Sequence, residues 1–416
     1  MQFNCVWLTC RAYARFGVYR IIHAVNDLRV QTSLESIPWQ DAELYIDPQV
    51  PIDDATRALP ARWAVYLMLD AERNPVQLLC VKNLRASVRR RLGESAPDAG
   101  PSRRIDYRGL VRYVQWRRVD SRLMNDLTYL DVARVVYPTR WQTIVNTRPA
   151  WWLHIDAEAQ FPRWKITDDP TLPTGQLFGP IAEKGLAQKV VERIEDLFDL
   201  CRYHNVLQQS PRGAPCAYKD MGRCPAPCDG SVSMQQYRQL IDWSIATIAD
   251  PTIEIDDHSE RMRQAAGELR FETASKIKQF IDGLKSLRTA DARFIAPLDC
   301  FGGYALVPGP VKNAARLLHI DLAGVHEMLG VLQNPTDLNL SNIALPPKSP
   351  IDALRLAIIA HHQMRPGDDV TFIERDQLSP RTLSTAYKHL TQKQTSTPST
   401  IASDDEGVLR EAVVSE

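Results

Sequence analysis

The stretch from residue 201 to residue 230 reads CRYHNVLQQSPRGAPCAYKDMGRCPAPCDG and holds half of the eight cysteines of this 416-residue chain. Cys201, Cys216, Cys224 and Cys228 follow the spacing C-x14-C-x7-C-x3-C. Thiols concentrated in this way either bind a soft metal centre or pair as disulfides. The start of the chain does not resemble a secretory signal peptide, so we expect a reducing, cytoplasmic compartment and a metal.

Four cysteine ligands narrow the range of metal centres that could bind here, but they do not identify one. Four sulfur ligands suit both Zn²⁺ and a [4Fe–4S] cluster, and the spacing alone does not separate the two. The alternative is that some of these cysteines are small buried apolar residues without a ligand.

Charge is distributed unevenly along a chain whose formal net charge is zero. Between Lys82 and Arg122 there are twelve Lys and Arg residues against four Asp and Glu residues. This segment is a candidate phosphate-binding face, or the solvated surface of a helix. No run of about 18 apolar residues occurs, so no membrane span is predicted.

Hydrophobic periodicity predicts an α+β protein. Residues 59–150 form the first domain, in which WAVYLMLD, a polar turn and VQLLCV make a β-hairpin, followed by a helix at KNLRASVRRRLGES, a strand at GLVRYVQWRRV and a helix that stops at Pro138. This order predicts a small mixed sheet flanked by helices. Residues 1–58 are an extension whose structure the sequence does not specify.

The remaining chain divides into four predicted segments. Residues 151–235 contain a connecting strand, a loop at Phe178–Pro180, a helix ending at Cys201 and the cysteine segment. Residues 236–290 form a helical hairpin with a break near Arg270, and residues 291–378 a small α/β unit. Residues 379–416 are rich in Ser, Thr and Pro, which predicts disorder.

The string CAYKDMGRCPAPCDG followed by SMQQYRQLIDW resembles the middle of the UvrC family of bacterial excision-repair nucleases. The resemblance implies that the four cysteines bind a [4Fe–4S] cluster, with Zn²⁺ as the alternative. It places them between an N-terminal GIY-YIG nuclease domain and a UVR motif.

The string RMRQAAGELRFETASKIKQFI resembles that UVR motif, which pairs with a related hairpin on the helicase partner UvrB. The alternative is a coiled coil that serves only the fold. The resemblance implies partner-binding positions at Met262, Leu269, Phe271, Glu272, Ala274, Lys278 and Ile281.

The nuclease motifs are degraded. The first family motif aligns with Ala64–Tyr66 and the second with Gln77–Leu79, while the catalytic arginine aligns with Ser87. Residues able to substitute are Tyr66 as base, Arg85 on the phosphate and Asp131 for Mg²⁺ or Mn²⁺. Loss of activity is the simpler expectation than three such replacements.

The resemblance therefore implies an excision-repair factor that binds DNA and a UvrB-like subunit. One alternative is an active metal-dependent nuclease similar to the short UvrC homologue Cho, and another is a non-catalytic regulatory paralogue. Adjacent His361 and His362 point in different directions on a helix, so no metal site is predicted there. The basic face expected to contact DNA comprises Lys82, Arg85, Arg89, Arg90, Arg91, Arg112, Arg117 and Arg118.

Overall fold

The computed structural model describes residues 43–93, 107–181, 183–287, 295–322, 324–328, 331–333 and 351–396. These residues form helices and three four-stranded antiparallel sheets, which confirms the predicted α+β class. The chain divides into two compact units. The described residues of the first unit fall within 1–119 and 128–146, and those of the second within 120–127 and 147–410.

The sheet of the first unit has the strand order β1-β4-β2-β3, with every pair antiparallel. The strand β2 reads AVYLML and is buried at every position, as expected where both faces of a strand are covered. Asp70 closes the predicted hairpin, because its side chain accepts hydrogen bonds from the backbone and the side chain of Asn74 at 2.7 and 3.0 Å. The strands are β1 (Glu43–Tyr45), β2 (Ala64–Leu69), β3 (Pro75–Val81) and β4 (Tyr113–Arg118).

The longer helices of this region begin where the sequence predicts them. The Asn83 side chain accepts a hydrogen bond from the Ala86 amide at 3.0 Å and starts α2, which ends at Gly93. Because β1 joins the sheet, residues 43–45 belong to the first unit and not to a separate extension. Residues 1–42 of the predicted extension lie outside the described residues. The helices are α1 (Ile52–Ala55), α2 (Leu84–Leu92), α3 (Tyr107–Leu110), α4 (Arg122–Val136) and α5 (Trp141–Ile144).

A second sheet, in the order β6-β5-β7-β8, begins the second unit. Phe178–Pro180, predicted as a loop, lies inside β7. Phe178 is fully buried 5.4 Å from the Trp164 ring, and a Cβ added to Gly179 would lie 2.7 Å from Trp152, so glycine lets this strand approach its neighbour. The strands are β5 (Trp151–Ile155), β6 (Lys165–Thr167), β7 (Gln176–Ile181) and β8 (Ala296–Pro297).

Six helices of this unit carry the cysteine segment and the hairpin. Ser233 and Gln236 form a reciprocal capping box that starts α9. The hairpin of α10 and α11 turns at Leu269, whose φ of 62° is in the left-handed region. The helices are α6 (Lys184–Leu197), α7 (His204–Leu207), α8 (Ala217–Asp220), α9 (Met234–Ala249), α10 (Thr252–Gly267) and α11 (Phe271–Leu287).

The third sheet, in the order β11-β10-β9-β12, and two helices follow. Residues 380–396 form a helix, which corrects the prediction of disorder from Ser379. Leu383, Ala386, Tyr387 and Leu390 are buried at helical spacing, and the Ser/Thr-rich composition obscured that apolar stripe. Residues 397–416 lie outside the described residues. The elements are β9 (Gly303–Pro308), β10 (Ala315–Asp321), β11 (Gly324–Glu327), α12 (Ala353–Met364), β12 (Thr371–Ile373) and α13 (Pro380–Ser396).

His362 on α12 has a structural partner. Its Nε2 lies 2.8 Å from Oδ2 of Asp126, and both side chains are buried. The neighbouring His361 has a different partner, since its Nε2 lies 3.2 Å from the Arg148 carbonyl oxygen. Among the helices of the described ranges, none has both the length and the apolar character needed to cross a membrane.

Candidate functional site

The cysteine loop, residues 201–230, follows α6 directly. Cys201, Cys224 and Cys228 are buried, Cys216 is half-buried, and all four are free thiols, so none forms a disulfide. The Cys201 and Cys224 thiols share a hydrogen bond, which lowers the pKa of Cys224 to about 6. The same bond, with burial, raises the pKa of Cys201, and Cys228 lies close enough to add to that effect. The structure therefore brings three of the four predicted ligands near one another.

Backbone contacts hold this loop closed. Ala226 and Gly230 have positive φ values of 56° and 82°, which reverse the chain on both sides of Cys228. The Ser210 hydroxyl donates to the Pro227 carbonyl at 2.6 Å, and the Gly213 amide donates to the Cys228 carbonyl at 2.8 Å. The cysteines consequently lie on a fixed scaffold.

The cysteine thiols are chemically suited to bind a soft metal, but their positions in the structure do not form a complete set of ligands. Buried, adjacent thiols, one with a pKa of about 6, are the groups that zinc and iron–sulfur centres require. Within the described ranges, however, no three His, Cys, Asp or Glu side chains converge closely enough to hold an ion as positioned. A four-thiolate centre needs the side chains to move closer together, with Cys216 joining the other three.

The helical hairpin presents two large apolar side chains at its turn. Leu269 is 73% exposed and Phe271 is 64% exposed, although apolar side chains of this size are normally buried. Glu272 and Lys278 are also exposed, whereas Met262 and Ala274 are half-buried. Ile281 is buried on α11, unlike the other predicted partner-binding residues.

The residues predicted for catalysis in the first unit are partly or fully buried, except Arg85. Tyr66 is fully buried, and its hydroxyl lies 2.9 Å from Oγ of Ser87, the residue that aligns with the family's catalytic arginine. A base that activates water must reach solvent or substrate, and the Tyr66 side chain is not exposed to solvent in this structure. Arg85 Nε donates to the Leu59 carbonyl at 2.6 Å, and Asp131 is half-buried on α4.

The basic face is concentrated on α2. Leu84, Val88 and Leu92 are buried, so the turns between them place the basic residues outside. The exposed members of the predicted set are Lys82, Arg85, Arg89, Arg90 and Arg118, whereas Arg91, Arg112 and Arg117 are half-buried. Arg89 pairs with Asp53, and Arg112 donates to the Val111 carbonyl at 2.9 Å. The outer face of α2 therefore offers the most accessible positive charge of the set.

Comparison with known proteins identifies the region around the cysteine loop. Residues 150–247, which contain all four cysteines of the loop, match the family model of the UvrC/Cho excinuclease middle domain. This part of the chain is similar to the middle domain of UvrC proteins. The family match begins just before β5 and ends within α9.

Three curated relatives carry the name UvrABC system protein C. The protein from Trichlorobacter lovleyi is 24% identical over 232 residues, which is 56% of this chain and 38% of the relative. The protein from Moorella thermoacetica is 30% identical over 128 residues, or 30% of this chain and 21% of the relative. The protein from a Nostoc species is 34% identical over 153 residues, covering 35% and 23% of the two chains. The shared part thus spans well under half of each UvrC relative, and no solved structure matches the chain.

Sequence reasoning missed the residues that link the cysteine loop to the hairpin. The Tyr237 hydroxyl accepts a hydrogen bond from the Cys201 amide at 3.1 Å, and Trp243 donates to Glu254 at 2.7 Å. The available signal was the presence of two aromatic residues six positions apart on α9, but their partners lie elsewhere, in the cysteine loop and on α10.

The burial of Tyr66 leads to a prediction for nuclease activity. We expect the chain with Mg²⁺ or Mn²⁺ to leave a lesion-bearing DNA duplex uncut, because the Tyr66 hydroxyl is sealed against Ser87. The measurement is gel analysis of an end-labelled duplex, with Asp131→Ala as the paired variant. Metal-dependent incision by the parent that disappears in Asp131→Ala would contradict this expectation.

The pH dependence of folding should reflect Glu195 on α6. Burial raises the pKa of its carboxyl from 4.5 to about 7. The folded state therefore binds the proton more tightly, and the resulting stabilisation is complete below pH 4.5 and lost as the pH rises through about 7. Between pH 4.5 and pH 8, we expect the parent to lose about 2 kcal/mol of unfolding free energy relative to Glu195→Gln, less than the full linkage value because the side chain is half-buried.

Denaturant unfolding at a series of pH values measures this difference. Glu272→Gln, at an exposed position on α11, is the control and should follow the parent at every pH. Identical pH profiles for the parent and Glu195→Gln would show that burial does not hold the proton on this carboxyl.

Proposed function

We propose that this chain is a UvrC-like excision-repair factor without nuclease activity, which binds DNA and docks a UvrB-like partner. The observation that carries the proposal is the exposed apolar hairpin turn at Leu269 and Phe271, which follows a UvrC-type middle domain in the same chain. Two antiparallel helices with apolar residues at their turn suit recognition of a complementary helical surface.

The cysteine loop is proposed to hold a [4Fe–4S] cluster, with Zn²⁺ as the alternative. The ligands would be Cys201, Cys216, Cys224 and Cys228. Such a centre supplies a structural crosslink when it is bound, since each thiolate comes from a different part of the loop. Free thiols and a thiolate-ligated centre suit a reducing compartment, so we propose a cytoplasmic location.

DNA binding is proposed for the outer face of α2. Four exposed basic side chains lie at or beside this helix, and arginine binds phosphate oxygens through two parallel hydrogen bonds. These contacts are independent of base sequence, so we propose affinity for the DNA backbone rather than for a specific site. The four side chains belong to Lys82, Arg85, Arg89 and Arg90.

Substitution of Arg90 tests the DNA part of this proposal. Arg90→Ala is expected to weaken duplex binding by about tenfold at low salt, and to lower the salt dependence of affinity by about one counterion. Fluorescence anisotropy with a labelled duplex at several salt concentrations measures both quantities. Arg57→Ala, at an exposed arginine of the same unit outside α2, is the control. Equal losses in both variants would contradict a specific DNA-binding role for α2.

The second candidate function is that of a non-catalytic regulatory paralogue. The buried contact between the Tyr66 and Ser87 hydroxyls favours it. The two candidates make different predictions for repair. A repair factor assists incision by a complete UvrC system, whereas a competitor for the UvrB-like subunit inhibits it. Adding the chain at increasing concentration to a reconstituted incision reaction distinguishes them.

A further inference from the structure

Three aromatic rings join the end of α6 to the hairpin. Phe198, three residues before Cys201, meets the Trp243 ring edge-on at a centroid distance of 4.7 Å and the Phe280 ring at 6.0 Å. Trp243 and Phe280 stack at 5.6 Å with an angle of 21° between their planes. The segment that leads into the cysteine loop therefore contacts both α9 and α11 through a single ring cluster.

A carboxylate on α10 fastens this ring cluster to the hairpin. Oε1 of Glu254 accepts a hydrogen bond from Trp243 Nε1 at 2.7 Å, and Oε2 lies 3.1 Å from His258 Nδ1. The His258 ring in turn lies 4.7 Å from Phe280 on α11. One side chain on α10 thus connects α9 with both helices of the hairpin.

The other end of this connection lies at the cysteine loop. The Tyr237 hydroxyl on α9 is the acceptor for the Cys201 amide, and Tyr237 is fully buried. Because α9 has a complete capping box and continuous helical structure from Met234 to Ala249, Tyr237 and Trp243 are held at a fixed separation. A displacement at Cys201 is therefore carried to Trp243 by a stiff element.

We propose that Glu254, acting through Trp243, is a positioning residue that couples the order of the hairpin to the order of the cysteine loop. A well-ordered loop fixes α9, and Glu254 transfers that constraint to α10 and α11. Packed joints of this kind have discrete arrangements, so loosening one end releases the other. The inference rests on the proposed function only in assigning a partner to the hairpin, since the coupling itself is a property of this chain.

Hydrogen–deuterium exchange of the full-length chain, followed by mass spectrometry, tests the coupling. Glu254→Ala is expected to speed amide exchange across α10 and α11 by about tenfold, since it removes the hydrogen bond that the carboxylate accepts from Trp243 and its close contact with His258. Trp243→Phe, which keeps a ring but removes the N–H donor, should produce the same direction of change. Glu260→Ala, on the same helix at an exposed position paired with Arg263, is the matched control and should leave hairpin exchange unchanged.

Tyr237→Phe separates transmission from local stability. It removes the acceptor of the Cys201 amide and should speed exchange in residues 201–230 whether or not Glu254 is present. In the hairpin, the same change should speed exchange about threefold in the parent background and have no effect in the Glu254→Ala background. Should Tyr237→Phe fail to fold, Ser210→Ala, which removes the hydroxyl donor to the Pro227 carbonyl, serves as the perturbation within the cysteine loop.

Two results would overturn the coupling. One is parent-like hairpin exchange in Glu254→Ala, and the other is an equal effect of Tyr237→Phe on the hairpin in both backgrounds. Failure of the chain to bind a UvrB-like partner, with these exchange results intact, would instead refute the proposed function and leave the coupling standing.

Discussion

Cys224→Ala is expected to abolish retention of the bound metal centre. Cys224 is buried, and its hydrogen bond with the Cys201 thiol lowers its pKa to about 6, so its thiol ionises readily. Changes in residues that only support a ligand already weaken metal affinity by about 10- to 100-fold, and loss of a ligand should cost at least about 100-fold. The loop between Leu200 and Gly230 should lose thermal stability as well, because the centre would crosslink its parts.

Metal analysis and visible absorption of anaerobically purified protein measure this effect. Brown protein containing iron would support a [4Fe–4S] cluster, and colourless protein containing zinc would reject it in favour of Zn²⁺. Cys300→Ala, at an exposed free cysteine outside the loop, is the matched control and should retain the parent's metal content. Unchanged metal content and melting temperature in Cys224→Ala would refute a thiolate-ligated centre at this loop.

Phe271→Ala is expected to weaken binding of a UvrB-like partner by about 30-fold or more, equivalent to about 2 kcal/mol. The aromatic side chain is 64% exposed at the hairpin turn beside Leu269, so its burial against a partner would remove a large apolar area from water. Because the ring has few neighbours to lose within the hairpin, the melting temperature should stay within about 1 °C of the parent.

Isothermal titration with purified UvrB provides the affinity. Ile253→Ala is the matched control, because Ile253 is 72% exposed on α10 at the opposite end of the hairpin. Its affinity should equal that of the parent. Equal, small effects of both substitutions would show that the hairpin turn is not the docking surface, and a large loss of stability in Phe271→Ala would assign the ring to the fold.

Much of the local structure was predictable because it depends on neighbouring residues. Asn83 and Gly93 mark the two ends of α2, and the apolar run from Ala64 predicts a buried strand. The disorder predicted from Ser379 was wrong, since composition averaged over a segment does not reveal a narrow apolar stripe such as that on α13. The prediction of a loop at Phe178–Pro180 was also wrong. Glycine and proline are typical of loops, but here Gly179 lets the strand β7 pack closely against Trp152.

The candidate site divides in the same way. The spacing of the four cysteines identified residues 201–230 as a candidate metal site. The match to the UvrC/Cho middle-domain model covers these residues and those around them. The spacing did not indicate that Cys201 and Cys224 share a hydrogen bond. Nor did it reveal that Tyr66 is buried, since a tyrosine in a strand has the same sequence signature whether its hydroxyl faces water or Ser87.

By itself, the sequence determined the α+β class, the order of the helices and strands, and the chemical types available to the site. Those properties follow from periodicity, capping and composition, which are local. Only the tertiary structure decided which groups meet: Glu254 with Trp243, His362 with Asp126, and Tyr66 with Ser87. Such pairings join residues from different helices and strands, because burial forces polar groups to find partners wherever packing brings them together.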